Sequence, residues 1–273
     1  MKKNLMKIYS IFILVFIGPE IFAQQLSLCS WNIQNFGKSK SENEIKFIAQ
    51  TLKDFDVVCV IEVVAGYGGA QAVARLSDEL NRTGNSWDYT ISDPTSSFTK
   101  GAERYAFLWK KSKLKKSGDA WLEKEFHREM EREPYYITLL SEKQSFTIGV
   151  FHAIPTSKHP ETEIPYLAKI AQSRSNENMI FCGDFNCAES NTAFSSLKQL
   201  GFSSAMQHQK TTLKAKQKGK DYLASAYDNF FYKKSKIKIV KTGIIPFNES
   251  FTDLKSAKMI SDHLPIYFNF SLD

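Results

Sequence analysis

Asn32, Glu62, Glu103, His152, Asp184, Asn186, Asp228, Asp262 and His263 stand where apolar, strand-like runs begin or end. The stretch Met179-Ile180-Phe181-Cys182-Gly183-Asp184-Phe185-Asn186 shows the pattern best. An apolar run stops at a glycine, and a carboxylate and a carboxamide follow two residues apart. Such a run reads as a buried strand reaching a sheet edge, and polar groups just past that edge are placed as ligand crevices are in open α/β sheets. Alone, the stretch reads equally well as a strand followed by an Asp/Asn turn; its recurrence favours a site. Glu62 directly follows Val57-Val58-Cys59-Val60-Ile61, where a carboxylate is costly unless it is paired or binds a metal. The carboxylate and amide oxygens suit Mg²⁺, with Mn²⁺ or Ca²⁺ as substitutes, better than Zn²⁺. Two histidines with spare carboxylates would form two acid/base units. Phosphodiester hydrolysis needs such parts: a cation on the phosphate oxygens, a base for water and an acid for the leaving oxygen.

The elements that must position these groups can be read in order. Leu26 to Ile33 alternates as a strand. Ser41 to Asp54 carries Ile45, Ile48, Ala49 and Leu52 at helical spacing, and Val57–Ile61 is a strand buried on both faces. Gly66 to Gly69 reads as a loop and Ala70 to Leu80 as a second helix. Strands follow at Trp87–Ile91, Glu103–Trp109, Tyr135–Leu140 and Phe146–His152, with helices at Pro165–Ser173 and Ala193–Leu200. The charge run Lys110 to Lys116 reads as a solvated hairpin tip. Lys214, Lys216, Lys218 and Lys220 alternate along a basic loop that would suit a polyanion. Without repeats, low-complexity tracts or a domain-scale linker, many short strands mixed with helices predict two packed sheets with helices outside, in one α/β domain.

Lys2, Lys3 and Lys7 precede an apolar run from Ile8 to Gly18, and Ala23 offers a small residue for cleavage. That is the anatomy of a secretory signal peptide over residues 1–23. The run is short for a bilayer span of about 20 residues. The expected mature chain, 24–273, is secreted or periplasmic with no membrane anchor. Its charge falls from the formal +7 to near +5 once three lysines and Glu20 are removed; a basic surface suits nucleic acid or an anionic membrane. Export permits disulfides, yet Cys29, Cys59 and Cys182 lie inside apolar runs and read as small buried hydrophobes. Without a CxxC, neither a zinc site nor a thioredoxin-like motif has support.

The chain resembles the DNase I-like endonuclease/exonuclease/phosphatase family across nearly all of the expected mature sequence. The likeness rests on Trp31-Asn32-Ile33-Gln34-Asn35-Phe36-Gly37, Ile61-Glu62-Val63, Glu103-Arg104-Tyr105, Arg132-Glu133-Pro134, His152 with Pro155, Gly183-Asp184-Phe185-Asn186, Ala226-Tyr227-Asp228 and Ser261-Asp262-His263. These pieces stand in family order, and the Glu-Arg-Tyr and Arg-Glu-Pro pieces look like the DNase I branch. The resemblance implies a four-layer α/β/β/α sandwich of two mainly antiparallel sheets. It also implies that Glu62 binds a divalent metal with Asn32 and Asp262 close by, and that His152 pairs with Glu103 and His263 with Asp228. Asp184 and Asn186 would meet metal or the scissile phosphate, and Arg132 a phosphate. Three positions depart from that branch. Val64 stands where it has a basic residue, Gly101 where it has a groove-stacking tyrosine, and Ser225 where it has a disulfide cysteine. The catalytic set therefore carries over, while the groove contacts and the staple do not. The expectation is a secreted, Mg²⁺-dependent, largely sequence-nonspecific DNA endonuclease, working as a monomer without a stable protein partner. Its rivals are a sphingomyelinase-like phosphodiesterase using the same centre and a non-catalytic polyanion-binding protein.

Overall fold

The computed structural model describes residues 24–97, 101–142, 144–219 and 221–272, with side chains 217 and 218 left aside. The expected signal peptide and Lys220 lie outside the described residues. The first apolar run forms β1 (Leu26–Phe36). Helix α1 (Glu42–Leu52) follows, started by a reciprocal cap: the Ser41 hydroxyl accepts from the Glu44 amide while the Glu44 carboxylate takes the Ser41 N–H. Ile45, Ile48, Ala49 and Leu52 form its buried face. Strand β2 (Val57–Val64) then pairs parallel with β1.

Helix α2 (Tyr67–Asn81) starts earlier than its periodicity predicts, because Gly66 to Gly69 is not an open loop. A Cβ on Gly69 would lie 2.1 Å from the Val64 carbonyl oxygen, so a bare glycine lets the first helical turn press on the end of β2. The chain continues through β3 (Trp87–Ile91) and β4 (Glu103–Lys110). Lys110 to Lys116 is a crossover rather than a solvated tip: β5 (Lys115–Lys116) belongs to the other sheet. Lys110 is buried, its Nζ 4.0 Å from Asp56 and 5.5 Å from the Trp87 ring centre.

Then come β6 (Trp121–Leu122), β7 (Tyr135–Ser141), β8 (Gln144–His152), α3 (Tyr166–Ser173) and β9 (Met179–Asp184). The expected helix at 193–200 is a 3₁₀ turn leading into the short α4 (Ser195–Gln199). The chain ends with β10 (Phe202–Ser204), the ribbon β11 (Leu213–Lys218) and β12 (Asp221–Leu223), β13 (Asp228–Lys233), β14 (Ile237–Ile244), α5 (Leu254–Ala257) and β15 (Ile266–Leu272).

One sheet runs β14-β15-β1-β2-β4-β3 and the other β10-β13-β9-β8-β7-β5, with β6 added on β7. Each is mixed: β1–β2 and β8–β9 are parallel and the remaining pairs antiparallel. Three apolar layers separate four structural ones. The central layer, with Phe107, Ile148, Phe230 and Phe268, lies between the sheets. A second packs α1 and α2 on the first sheet, and a third packs α3 and α4 on the second. All four cysteines are buried and unbridged. Among the described residues no helix is long and apolar enough to cross a membrane.

Candidate active site

Sheet register brings distant acids and histidines to one edge. His152 ends β8 level with Asp184 at the end of parallel β9, and Asp184 is level with Asp228 at the start of antiparallel β13. Gly183 sets the turn between the core and Asp184. Its φ is +137°, and a Cβ there would sit 2.0 Å from the Phe151 carbonyl oxygen, so only glycine lets β9 approach β8 this closely. Phe185 then points back into a buried aromatic cluster with Phe194 and Phe231. From the other sheet, Asn32 on β1 pairs with Ile61 on β2, which sets it beside Glu62. Glu62 has φ +61°, left-handed for a residue with a side chain, and the β2–β4 register shifts there. Strain and bulges of this kind collect at functional sites.

The side chains form one continuous chain. The Glu103 carboxylate lies 2.9 and 3.1 Å from His152 Nδ1. His152 Nε2 is 3.4 Å and His263 Nε2 3.5 Å from the same Asp184 Oδ2. His263 Nδ1 lies 2.8 Å from Asp228 Oδ2. All five residues are buried. One aspartate thus stands between two imidazoles, each anchored on its far side by its own carboxyl group.

Surroundings set different charges on the two histidines. Burial, helped by the Arg132 guanidinium, pushes His152 down to about 4. Burial also pulls on His263, but Asp228 and Asp184 outweigh it and lift the imidazole to about 10. Burial raises Glu103 to about 7 against Arg132, which favours its anion.

The oxygen donors meet beside this chain. Asn32 Nδ2 donates to Glu62 Oε1 at 3.0 Å and Asp184 Oδ2 at 3.2 Å, and the Asn35 amide donates to Glu62 Oε2 at 3.1 Å. The buried Asn32 Oδ1 has no hydrogen-bond partner, an oxygen of the kind a cation satisfies. Asp262 is half-buried, and its charge favours the cationic form of His263 and, against the burial that lowers it, that of Lys40. These donors fit a hard dication. Asp184, Asp228 and His263 also bring ligand atoms within 4.8 Å of one another, a trio that could hold a metal ion, although Asp228 and His263 already bond each other.

The two expected phosphate contacts are turned toward the protein. Arg132 Nε donates to the His152 carbonyl at 3.1 Å and Nη2 to the Ala153 carbonyl, while Nη1 is 3.4 Å from Glu103. Asn186 Nδ2 donates to the Ala153 carbonyl, and its amide donates to Asp184 Oδ1, both at 2.9 Å. The Arg132 side chain braces His152, and the Asn186 backbone N–H braces Asp184.

Further supports escape sequence reading. Thr211 Oγ1 donates to Asp228 Oδ2 at 2.6 Å. Trp31 Nε1 donates to the His263 carbonyl at 2.8 Å, and the Ser261 hydroxyl donates to the Asn32 carbonyl at 2.6 Å. Buried Lys40 donates from Nζ to the Met259 and Ile260 carbonyls, both at 2.7 Å, just before the loop carrying Asp262 and His263. A threonine in a polar run and a lysine in a loop give no periodic signal; only the Thr-Thr pair ahead of the basic stretch hints at Thr211.

Comparison with known proteins agrees with this architecture. A "Deoxyribonuclease" of Thioalkalivibrio sp. (strain K90mix) is 25% identical over 279 residues, covering 94% of this chain and 74% of that protein. "Deoxyribonuclease gamma" of Homo sapiens is 28% identical over 186 residues, covering 60% of this chain and 57% of its own length. The chain therefore spans under two thirds of the human relative. An endonuclease/exonuclease/phosphatase family protein from Bacteroides thetaiotaomicron shares the fold with TM-score 0.69 at 14% identity, over 92% of this chain and 99% of that one. The family model for Endonuclease/Exonuclease/phosphatase proteins matches residues 29–263, the whole span from β1 to His263, and the chain belongs to that family.

Proposed function

We propose that the protein is a divalent-metal-dependent phosphodiester hydrolase that cuts DNA without strong sequence preference, exported to the periplasm or beyond the cell. The carrying observation is the buried chain Glu103–His152–Asp184–His263–Asp228 with oxygen donors beside it. Uncharged His152 is the base. Glu103 holds its Nδ1, which leaves Nε2 to take a proton from the attacking water as the new P–O bond forms. Cationic His263, held by Asp228, gives its Nε2 proton to the leaving oxygen as the old P–O bond breaks. Asp184 Oδ2 lies beside both Nε2 atoms and draws the N–H of cationic His263, while Glu103 alone orients His152. Glu62, Asn32 and Asp262 would hold a Mg²⁺-class ion; when bound, it offsets charge on the phosphate oxygens. Arg132 fixes the Glu103–His152 unit rather than reaching for substrate. The relatives named for deoxyribonuclease activity support DNA as the substrate.

The test uses plasmid DNA, purified protein and Mg²⁺, with EDTA as control and sphingomyelin as the competing substrate. DNA should be cut only with the metal. His152→Ala and His263→Ala should each lose about 10²–10⁴-fold. Cleavage that survives EDTA, or survives in both variants, sinks the mechanism; turnover of sphingomyelin in place of DNA sinks the substrate assignment.

A further inference from the structure

The basic ribbon is rooted in the site. Thr212 pairs with His263 in an isolated antiparallel bridge. The Leu213 amide donates to the Asp262 carbonyl and the Leu264 amide to the Thr211 carbonyl, both at 2.7 Å. Thr211 also bonds Asp228, and the Ala224 amide closes the base on the Thr212 carbonyl at 2.8 Å. β11 and β12 therefore leave the protein from the residues that hold His263 and its carboxylate partner. A six-residue strand reaches about 20 Å, and duplex DNA carries one charge per ~3.4 Å on each strand. The ribbon can thus run beside several phosphates on the His263 side of the reacting one.

Its charge is one-sided. From Lys210 to Asp221 the sequence has five lysines against one aspartate. That aspartate is paired with Lys214 and held below the usual carboxylate range by the hydrogen bond. Lys210 and Lys216 are exposed. Between Lys214 and Gly219 the one apolar residue is Ala215, so there is no apolar wedge for a membrane, and a water-borne polyanion is the better fit.

We propose that this ribbon is a phosphate-tracking arm that suits the protein to polynucleotides rather than to small phosphodiesters. The inference rests on the phosphodiesterase reading, and the experiment separates the two. The triple variant Lys210→Ser/Lys216→Ser/Lys218→Ser is compared with the unchanged protein, after thermal melting shows that both fold. Binding of a fluorescent duplex is followed by anisotropy in EDTA across a KCl series. Hydrolysis of plasmid DNA and of bis(p-nitrophenyl) phosphate is followed with Mg²⁺. The variant should bind DNA about tenfold or more weakly, with a salt slope shallower by about two to three units, near 0.9 per lost phosphate contact. Its turnover of the small ester should be unchanged. An unchanged salt slope, or equal losses on both substrates, overturns the arm. So does binding to phosphatidylglycerol vesicles that depends on the three lysines while DNA binding does not. If the unchanged protein hydrolyses neither substrate, the activity falls, while the anisotropy arm still decides what the ribbon binds.

Discussion

Lys40→Met should separate packing from charge at the loop that delivers His263. Methionine keeps most of the stem and removes the ammonium. Two carbonyls, on Met259 and Ile260, then lose donors now 2.7 Å away. Hydrogen bonds to charged groups contribute about 1.5–3 kcal/mol each. Burial opposes this, since it lowers the Lys40 pKa even with Glu44, Glu62 and Asp262 nearby. The net loss should be about 2–3 kcal/mol, or about 4–6 °C in melting temperature for a chain this size. The loop remains tethered by Trp31 and Ser261, so the variant should fold. Its His263 should sit less well, and a misplacement near 1 Å can cost ~10²-fold. The expected result is a fall of about 10–100-fold in kcat for DNA cleavage with little change in KM. Scanning calorimetry and steady-state kinetics give both numbers. A normal melting temperature would refute the energetic reasoning, and a lowered melting temperature with full kcat would refute the positioning role.

Two further outcomes follow from the geometry. In metal-free protein, histidine NMR should show His152 uncharged down to about pH 4 and His263 charged up to about pH 10, with the single-alanine variants giving the assignments. Both rings titrating near 6.5, or in the reverse order, would contradict the charge assignment that separates base from acid. Gly183→Ala should cost several kcal/mol or prevent folding, since any Cβ meets the Phe151 carbonyl and φ stays at +137°; denaturant unfolding with wild-type stability would show that β9 can shift away from β8.

The strand ends were readable because strands obey a two-residue period and end at visible punctuation. That was enough to name Glu62, His152, Asp184 and Asp228 from short windows, and to expect two packed sheets. It was not enough for Gly66 to Gly69 or Lys110 to Lys116, where close approach to β2 and a crossover between sheets override local composition. Nor could it find supports whose partners lie far along the chain, such as Trp31 on His263, 232 residues apart. The division of labour between the histidines belongs to this second kind. His263 follows an acid and His152 ends an apolar run, and neither window shows that one ring is cationic and the other neutral. Burial lowers both rings; at His152 Arg132, reaching in from a separate loop, adds to it and outweighs Asp184, whereas at His263 the hydrogen-bonded Asp228, with Asp184, overcomes it. Acid and base are assigned by what the fold brings to each ring, so changing Arg132 or Asp228 should alter the chemistry as surely as changing a histidine.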